Sequence, residues 1–213
     1  MTPEILFVDN HILVAVKPAG LLTQPDDSGN ESLEEAVKAR VKAKYEKAGN
    51  VFLHAIHRLD RPVSGLVLFA RTSKALSRLN EQVRANEIQR IYIAEVEGIL
   101  GEKAGRLDHY LIHVDHRAIV GREGQEGAKH ARLTFEVLEY RNHATLVKIE
   151  LDTGRYHQIR AQFGATGHPV VGDKKYGGRE GDGNVIRLCS AKLLLKHPVT
   201  KELLTFETAP PFS

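Results

Sequence analysis

The apolar segment at residues 65–70 constrains the fold more than any other part of the chain. It is the longest uninterrupted apolar run in the sequence, and a run of about six residues suits a strand that is buried on both faces. It is far shorter than the ~20 residues of a membrane-spanning helix. Pro62, just before it, disfavours helical geometry at Arg61. The segment therefore predicts a buried strand that is entered from an extended or turning stretch.

The rest of the chain alternates between strand-like and helix-like patterns. Leu33, Val37 and Val41 recur every four residues among charged ones, which is typical of an amphipathic helix. Residues 101–130 are rich in Gly, His and charge, and we predict long loops there with one short strand. The predicted helices are 31–47, 74–85 and 156–165, and the other predicted strands are 5–8, 12–16, 90–96, 133–140, 144–151 and 203–208.

No repeat, low-complexity tract or linker divides the 213 residues. We therefore expect a single α+β domain over residues 1–213, built on a mixed, largely antiparallel β-sheet with flanking helices and loops. The single cysteine, Cys189, excludes an intramolecular disulfide and a multi-cysteine zinc site, and we expect it to pack in the core. No secretory signal is visible at the start of the sequence, which favours a cytoplasmic protein.

The net charge of +3 hides an uneven distribution. Residues 1–100 carry 13 basic and 13 acidic side chains, whereas residues 155–201 carry nine basic and three acidic ones. Such an excess would bind phosphates if the side chains shared one face. A scattered, solvated surface is the alternative.

Asp60 lies in the segment where side chains that can take part in catalysis are most concentrated. In an extended stretch, Arg58 and Asp60 project from the same face. A guanidinium beside a carboxylate favours its ionised form, which can act as a nucleophile or as an electrostatic stabiliser. On these residues alone, a structural Arg–Asp pair at a sheet edge is the other interpretation.

The segment around Asp60 resembles the signature of the RluA-type RNA pseudouridine synthases, which reads His-Arg-Leu-Asp, two variable residues, Thr-Ser-Gly and an apolar strand. Here Val63 stands where that pattern has Thr, and in a later motif Tyr156 replaces the usual Thr or Ser. The resemblance spans about residues 5–210, and five motifs in the family's order make it highly specific. The other four motifs are Lys17–Leu21, Arg90–Gly98, Gly154–Gly177 and Ala191–Pro198.

The resemblance implies an isomerase that converts a uridine in RNA to its C-glycoside, without a cofactor or metal. It makes Asp60 the catalytic carboxylate, whose route (ring addition, attack on the ribose or a glycal) stays open. It implies that Tyr92 stacks on the target uracil and helps to move the C5 proton. It also implies that Arg160 pairs with the catalytic aspartate and keeps it ionised.

The target base must leave its stack to react, and the resemblance assigns Arg58 to the space that the base vacates. Further candidates for RNA contacts are His57, Arg155, His157, Lys174 and Lys175. We also expect Tyr156, Ile159 and Phe163 to share one packing face of the helix predicted at 156–165.

The expected partner is a structured ribosomal or transfer RNA, bound by a monomer without a membrane or an obligatory protein partner. Only 16 residues precede Lys17, so we expect no small RNA-binding domain before the catalytic one. A non-catalytic RNA-binding or RNA-folding protein on the same scaffold is the main alternative. A glycosidase is a third, although it would need a second carboxylate. His109, His113 and His116 could be drawn as a metal site, but an exposed loop near the RNA is the interpretation we favour.

Overall fold

The computed structural model describes residues 3–46, 49–179 and 183–212. These fall into two compact units. The first unit comprises residues up to 89 together with 189–211, and the second comprises residues 90–188. In chain order the strands are β1 (Glu4–Val8), β2 (Ile12–Lys17), β3 (His54–Ala55), β4 (Ser64–Ala70), β5 (Gln89–Glu97), β6 (Ala104–Val114), β7 (Arg117–Gly121), β8 (Lys129–Arg141), β9 (Ala144–Leu151), β10 (Leu188–Lys196) and β11 (Leu203–Glu207), and the helices are α1 (Leu33–Lys44), α2 (Ser73–Arg84) and α3 (Gln158–Ala165).

Strand β4 is the centre of the first unit, and all seven of its residues are buried. It pairs antiparallel with β2, which in turn pairs with β1. Its other edge pairs with β3 and, in parallel, with the start of β10, so that Gly65 lies opposite Ser190. A β-carbon on Gly65 would come within 2.3 Å of the Ser190 carbonyl oxygen. Glycine is therefore required there, because only glycine allows so close a strand.

The first unit contains two helices, and each begins at a capped residue. The Ser32 hydroxyl accepts from the Glu35 amide at the start of α1 and donates to the Glu35 carboxylate. The Thr72 hydroxyl accepts from the Ala75 amide at the start of α2. Ala75 and Leu79 of α2 join residues of β2 and β4 in one apolar cluster. The predicted end of the first helix, at Lys47, lies outside the described residues.

The second unit is an antiparallel sheet in the order β5-β9-β8-β6-β7, with α3 packed on β6 and β7. A two-residue turn joins β6 to β7. Asp115 and His116 occupy it with φ of 45° and 59°, which matches the twist of a hairpin. A short 3-10 turn, Lys174–Tyr176, follows α3.

Both units consist mainly of antiparallel strands with few helices, which confirms the predicted fold class. The prediction of long loops over 101–130 is wrong, because β6, β7 and the start of β8 occupy most of that range. Strand β10 was not predicted at all. The helix predicted at 156–165 begins at Gln158, so Tyr156 lies outside it and is 39% exposed. It does not share the packing face of Ile159 and Phe163, which are buried.

Cys189 is buried in the core, as predicted. Among the described residues, no helix is both long and apolar enough to cross a membrane.

Candidate active site

Asp60 opens a tight turn between β3 and β4. The amide of Val63 donates to the Asp60 carbonyl oxygen at 3.0 Å, which closes the turn over Arg61 and Pro62. Leu59, just before it, is buried, whereas Asp60 itself is half-buried. The turn therefore holds the carboxylate between the core and solvent.

The Lys17–Leu21 motif holds the far side of this turn. Lys17 ends β2, and its buried ammonium donates to the carbonyl oxygens of Pro18 at 3.1 Å, Leu21 at 2.7 Å and Arg61 at 3.1 Å. The Gly20 amide donates to the same Arg61 carbonyl oxygen at 2.7 Å, and the Arg61 side chain donates back to the Gly20 carbonyl oxygen. An ammonium has three donors, and here each of them has a carbonyl partner.

Thr23 holds the near side of the turn. Its hydroxyl accepts from the Leu59 amide at 3.0 Å and donates to the Leu59 carbonyl oxygen at 2.8 Å. Thr23 is 4% exposed, so water does not compete for these bonds. The backbone is thus bonded at the residue before Asp60 and at the residue after it.

The electrostatics of Lys17 are unusual. Burial lowers the pKa of its ammonium to about 7; the negative charge of Asp60 opposes this effect, and the positive charge of Arg61 adds to it. Lys17 is therefore a cation that titrates near neutral pH. It interacts electrostatically with Asp60, the candidate catalytic carboxylate.

The two basic residues of the His-Arg-Leu-Asp segment lie in different surroundings. The Nε2 atom of His57 accepts from the Leu68 amide at 3.2 Å, which ties the segment to β4. Arg58 is exposed.

The second unit contains the remaining predicted site residues. Tyr92 lies on β5 opposite Ile149 and is 6% exposed. Arg160, on α3, forms a buried two-point ion pair with Asp173, at 2.6 Å from Nε and 2.9 Å from an Nη. The predicted pairing of Arg160 with Asp60 stays a prediction.

Tyr176 organises the surroundings of His157 and Arg160. Its hydroxyl accepts from the Ala118 amide at 2.8 Å and lies 2.8 Å from Nδ1 of His157. Burial, with the charges of Arg160 and Lys175, lowers the pKa of His157 to about 3 and keeps it neutral. The Arg160 guanidinium lies over the Tyr176 ring at 5.1 Å.

The other predicted RNA contacts keep exposed charges. Arg155 donates from Nε to the His130 carbonyl oxygen at 2.8 Å, and Lys175 donates to the His116 carbonyl oxygen at 3.0 Å. Lys174 is exposed in the 3-10 turn. Of the charged segment 155–201, Glu180 and Asp182 lie outside the described residues.

The sequence placed His109, His113 and His116 in an exposed loop, but only His116 lies in a turn, the one that joins β6 to β7. His109 and His113 lie on β6, and Nδ1 of His109 contacts the Gln162 amide at 3.1 Å. Within the ranges that the structure describes, no group of three or more His, Cys, Asp or Glu side chains is arranged to hold a metal ion.

Sequence reasoning missed two positioning residues. Thr23 follows the Lys17–Leu21 motif by two positions, and nothing in the local pattern marks it. Asp173 lies in the Gly154–Gly177 motif, where a buried partner for Arg160 could have been sought, because a buried guanidinium requires an acid.

Comparison with known proteins identifies the class. The chain belongs to the RNA pseudouridine synthase family, of the RluA type: the family model described as RNA pseudouridylate synthase matches residues 11–165. It is 36% identical to the dual-specificity RNA pseudouridine synthase RluA of Haemophilus ducreyi, over 98% of this chain and 94% of that one.

Two further comparisons concern the sequence and the fold. It is 35% identical to ribosomal large subunit pseudouridine synthase C of Escherichia coli, over 95% of this chain and 65% of that one. The structure of human RNA pseudouridylate synthase domain containing 4 has the same fold, with a TM-score of 0.81 and 21% identity over 98% of this chain and 88% of that one.

The Thr23 hydroxyl can be removed without changing the shape of the side chain. Thr23→Val should lower the free energy of unfolding by roughly 2–3 kcal/mol, because it leaves the buried Leu59 amide and carbonyl without partners. Thr23→Ser keeps the hydroxyl and should cost about 1 kcal/mol or less. Urea denaturation of the two variants measures the difference. Equal losses would contradict the proposed clamp on Leu59.

The buried ammonium predicts a pH-dependent stability. The folded pKa of Lys17 lies below its ordinary value of 10.5, so the unfolded chain binds more protons between about pH 7 and 10. Over that window the wild type should gain up to about 4 kcal/mol relative to Lys17→Met. Denaturation of both proteins at several pH values tests this, and a difference that does not change with pH would contradict it.

Proposed function

We propose that this chain isomerises specific uridines of ribosomal or transfer RNA to pseudouridine, with Asp60 as the catalytic nucleophile. The observation that carries the proposal is the Asp60 turn. The aspartate of the family signature lies in a turn that Lys17 and Thr23 bond on both sides. A fixed backbone limits the positions of the carboxylate, and a nucleophile must be held in a reactive geometry.

The reaction balances without any other reactant. The bond between ribose C1′ and uracil N1 breaks, the uracil turns, and C1′ bonds to C5. The proton of C5 is lost and N1 gains one. Nothing is oxidised and no group is donated, so the proposed reaction requires neither a cofactor nor a metal.

Asp60 would form the covalent link that lets the uracil detach and turn, by addition to the ring or by attack on the ribose; a glycal route would use it instead to take a ribose proton. Tyr92 would face the uracil and help to remove the C5 proton. Arg160 would keep Asp60 ionised, and the buried pair with Asp173 supports this role because it fixes the guanidinium on α3.

Base flipping would be assisted by Arg58. Its side chain is exposed, so it would be able to enter the space that the target base leaves. Stacking of its guanidinium plane on neighbouring bases offsets part of the unstacking cost. His57, Arg155, His157, Lys174 and Lys175 would contribute contacts to the RNA around the target.

The names of two relatives support the proposed class of RNA. One is named for dual specificity and another for the large ribosomal subunit, which supports ribosomal or transfer RNA as the substrate. We further propose that residues 1–213 act as one catalytic domain, as a monomer in the cytoplasm and without an obligatory protein partner.

Release of tritium from RNA labelled at uracil C5 tests the reaction directly. The wild type should release label to water from RNA isolated from a strain that lacks this protein. Asp60→Asn should reduce the release by at least about a thousandfold, with RNA binding changed by no more than a few fold. Asp27→Asn, which neutralises an exposed carboxylate in the same unit, is the matched control and should release label normally.

Two outcomes would overturn the proposal. Normal release by Asp60→Asn would exclude Asp60 as the nucleophile. Binding of the RNA by the wild type without any release would instead favour the non-catalytic RNA-binding protein.

A further inference from the structure

The second unit carries an open pocket next to the β6–β7 hairpin. Its volume is about 420 Å³, within the range of small-ligand sites. Leu111 and Ala118, both buried, form part of its apolar lining. Lys129 and Arg155, both exposed, bring positive charge to it. None of the described residues that line the pocket is acidic.

A stack of three rings leads from the interior to this pocket. The rings of His157 and Tyr156 are parallel, with centroids 3.9 Å apart and planes at 17°. The ring of His113 follows, with its centroid 4.3 Å from that of Tyr156 and its plane tilted by 38°. His157 is 9% exposed and Tyr156 is 39% exposed; His113, on the strand, is exposed. The pocket is lined by Tyr156 and His113, so the accessible end of the stack faces it.

The buried end of the stack is fixed. Nδ1 of His157 bonds to the Tyr176 hydroxyl, which the Ala118 amide also holds. The Tyr156 hydroxyl donates to the His116 carbonyl oxygen at 3.3 Å, so the ring is tied to the β6–β7 turn. A ring held in place by such contacts loses little entropy when a further ring stacks on it.

Tyr156 is also where this sequence departs from the family pattern, which has Thr or Ser there. Neither of those residues could supply an aromatic surface. A pocket that combines exposed aromatic rings, two exposed cations and apolar lining residues suits a nucleobase with its phosphate. Duplex RNA keeps its bases stacked on one another, so only an unpaired nucleotide can use such a pocket.

We propose that this pocket binds one unpaired nucleotide of the substrate RNA, with the base stacked on the exposed ring of His113, which Tyr156 supports from its other face, and the phosphate held by Lys129 and Arg155. The inference rests on the proposed function, because it assumes that RNA is the substrate. It adds a specificity subsite: RNAs with an unpaired nucleotide at the matching distance from the target uridine would be preferred.

Binding of a labelled single-stranded ten-nucleotide oligoadenylate to the full chain tests the pocket. Tyr156→Ala removes the ring that supports His113, so binding should weaken by up to about 5- to 150-fold, the range for loss of one base–aromatic stack. Tyr156→Phe keeps the ring and should bind within about twofold of the wild type. A duplex of the same length should bind Tyr156→Ala and the wild type equally.

Lys129→Ala offers a second test. Lys129 is exposed, so its replacement should leave the fold intact. It should lower the slope of log Kd against log salt concentration by about 0.7, the value for one phosphate contact on a single strand. Lys129→Arg should restore the slope. A wild type that binds the oligoadenylate no more tightly than Tyr156→Ala, or an unchanged slope in Lys129→Ala, would overturn the inference.

Tritium release by the same variants separates this inference from the proposed function. If the wild type releases label but Tyr156→Ala has the same affinity for the oligoadenylate as the wild type, the pocket is refuted and the function stands. If Tyr156→Ala loses affinity but no RNA is isomerised by the wild type, the pocket stands and the enzyme assignment fails.

Discussion

The buried ammonium of Lys17 is the interaction on which the candidate site depends. It joins the end of β2 to the Asp60 turn through the Arg61 carbonyl oxygen, and its other two donors hold the Lys17–Leu21 segment. A buried cation is costly unless every donor has a partner. That cost explains why carbonyl groups from both segments converge on one point, and the result is a turn with little freedom to move.

In the second unit, the equivalent constraint is the Tyr176 hydroxyl. It links the start of β7, through Ala118, to His157 just before α3. The Arg160–Asp173 pair lies beside the same ring. Because these groups are buried and mutually bonded, the exposed residues attached to them, above all Tyr156, are presented in defined positions. In each unit, therefore, a buried polar network supports a few residues that remain accessible.

Much of this arrangement could be predicted from the sequence. Strands β2, β4 and β9 are apolar or alternate regularly, and α1 has a clear four-residue spacing, so their patterns indicated them. The family motifs indicated Asp60, Tyr92 and Arg160. Most of the strand structure over 101–130, together with β10, was missed for a physical reason. Gly, His and charged residues are frequent in β6, and Leu, Ala and Lys dominate β10, so it is the pairing with neighbouring strands, rather than propensity, that makes them strands.

The missed site residues have a similar cause. The Thr23 hydroxyl bonds to the backbone of Leu59, which is 36 positions away in the sequence. Asp173 forms an ion pair with Arg160 and so holds its guanidinium in place. Such contacts depend on the tertiary structure and leave no local pattern in the sequence. Tyr156 illustrates the opposite case: its departure from the family motif was visible, but only the structure shows that its ring lies in an exposed stack.

The central claim is that Asp60, held by its turn, converts uridine to pseudouridine in cellular RNA. A map of pseudouridines, made by carbodiimide labelling and reverse transcription, tests it in a strain that lacks this protein. The account predicts that at least one position in ribosomal or transfer RNA loses its pseudouridine, and that the wild-type chain restores it whereas Asp60→Asn does not. A map that is unchanged by the deletion, or that is restored by Asp60→Asn, would contradict the account.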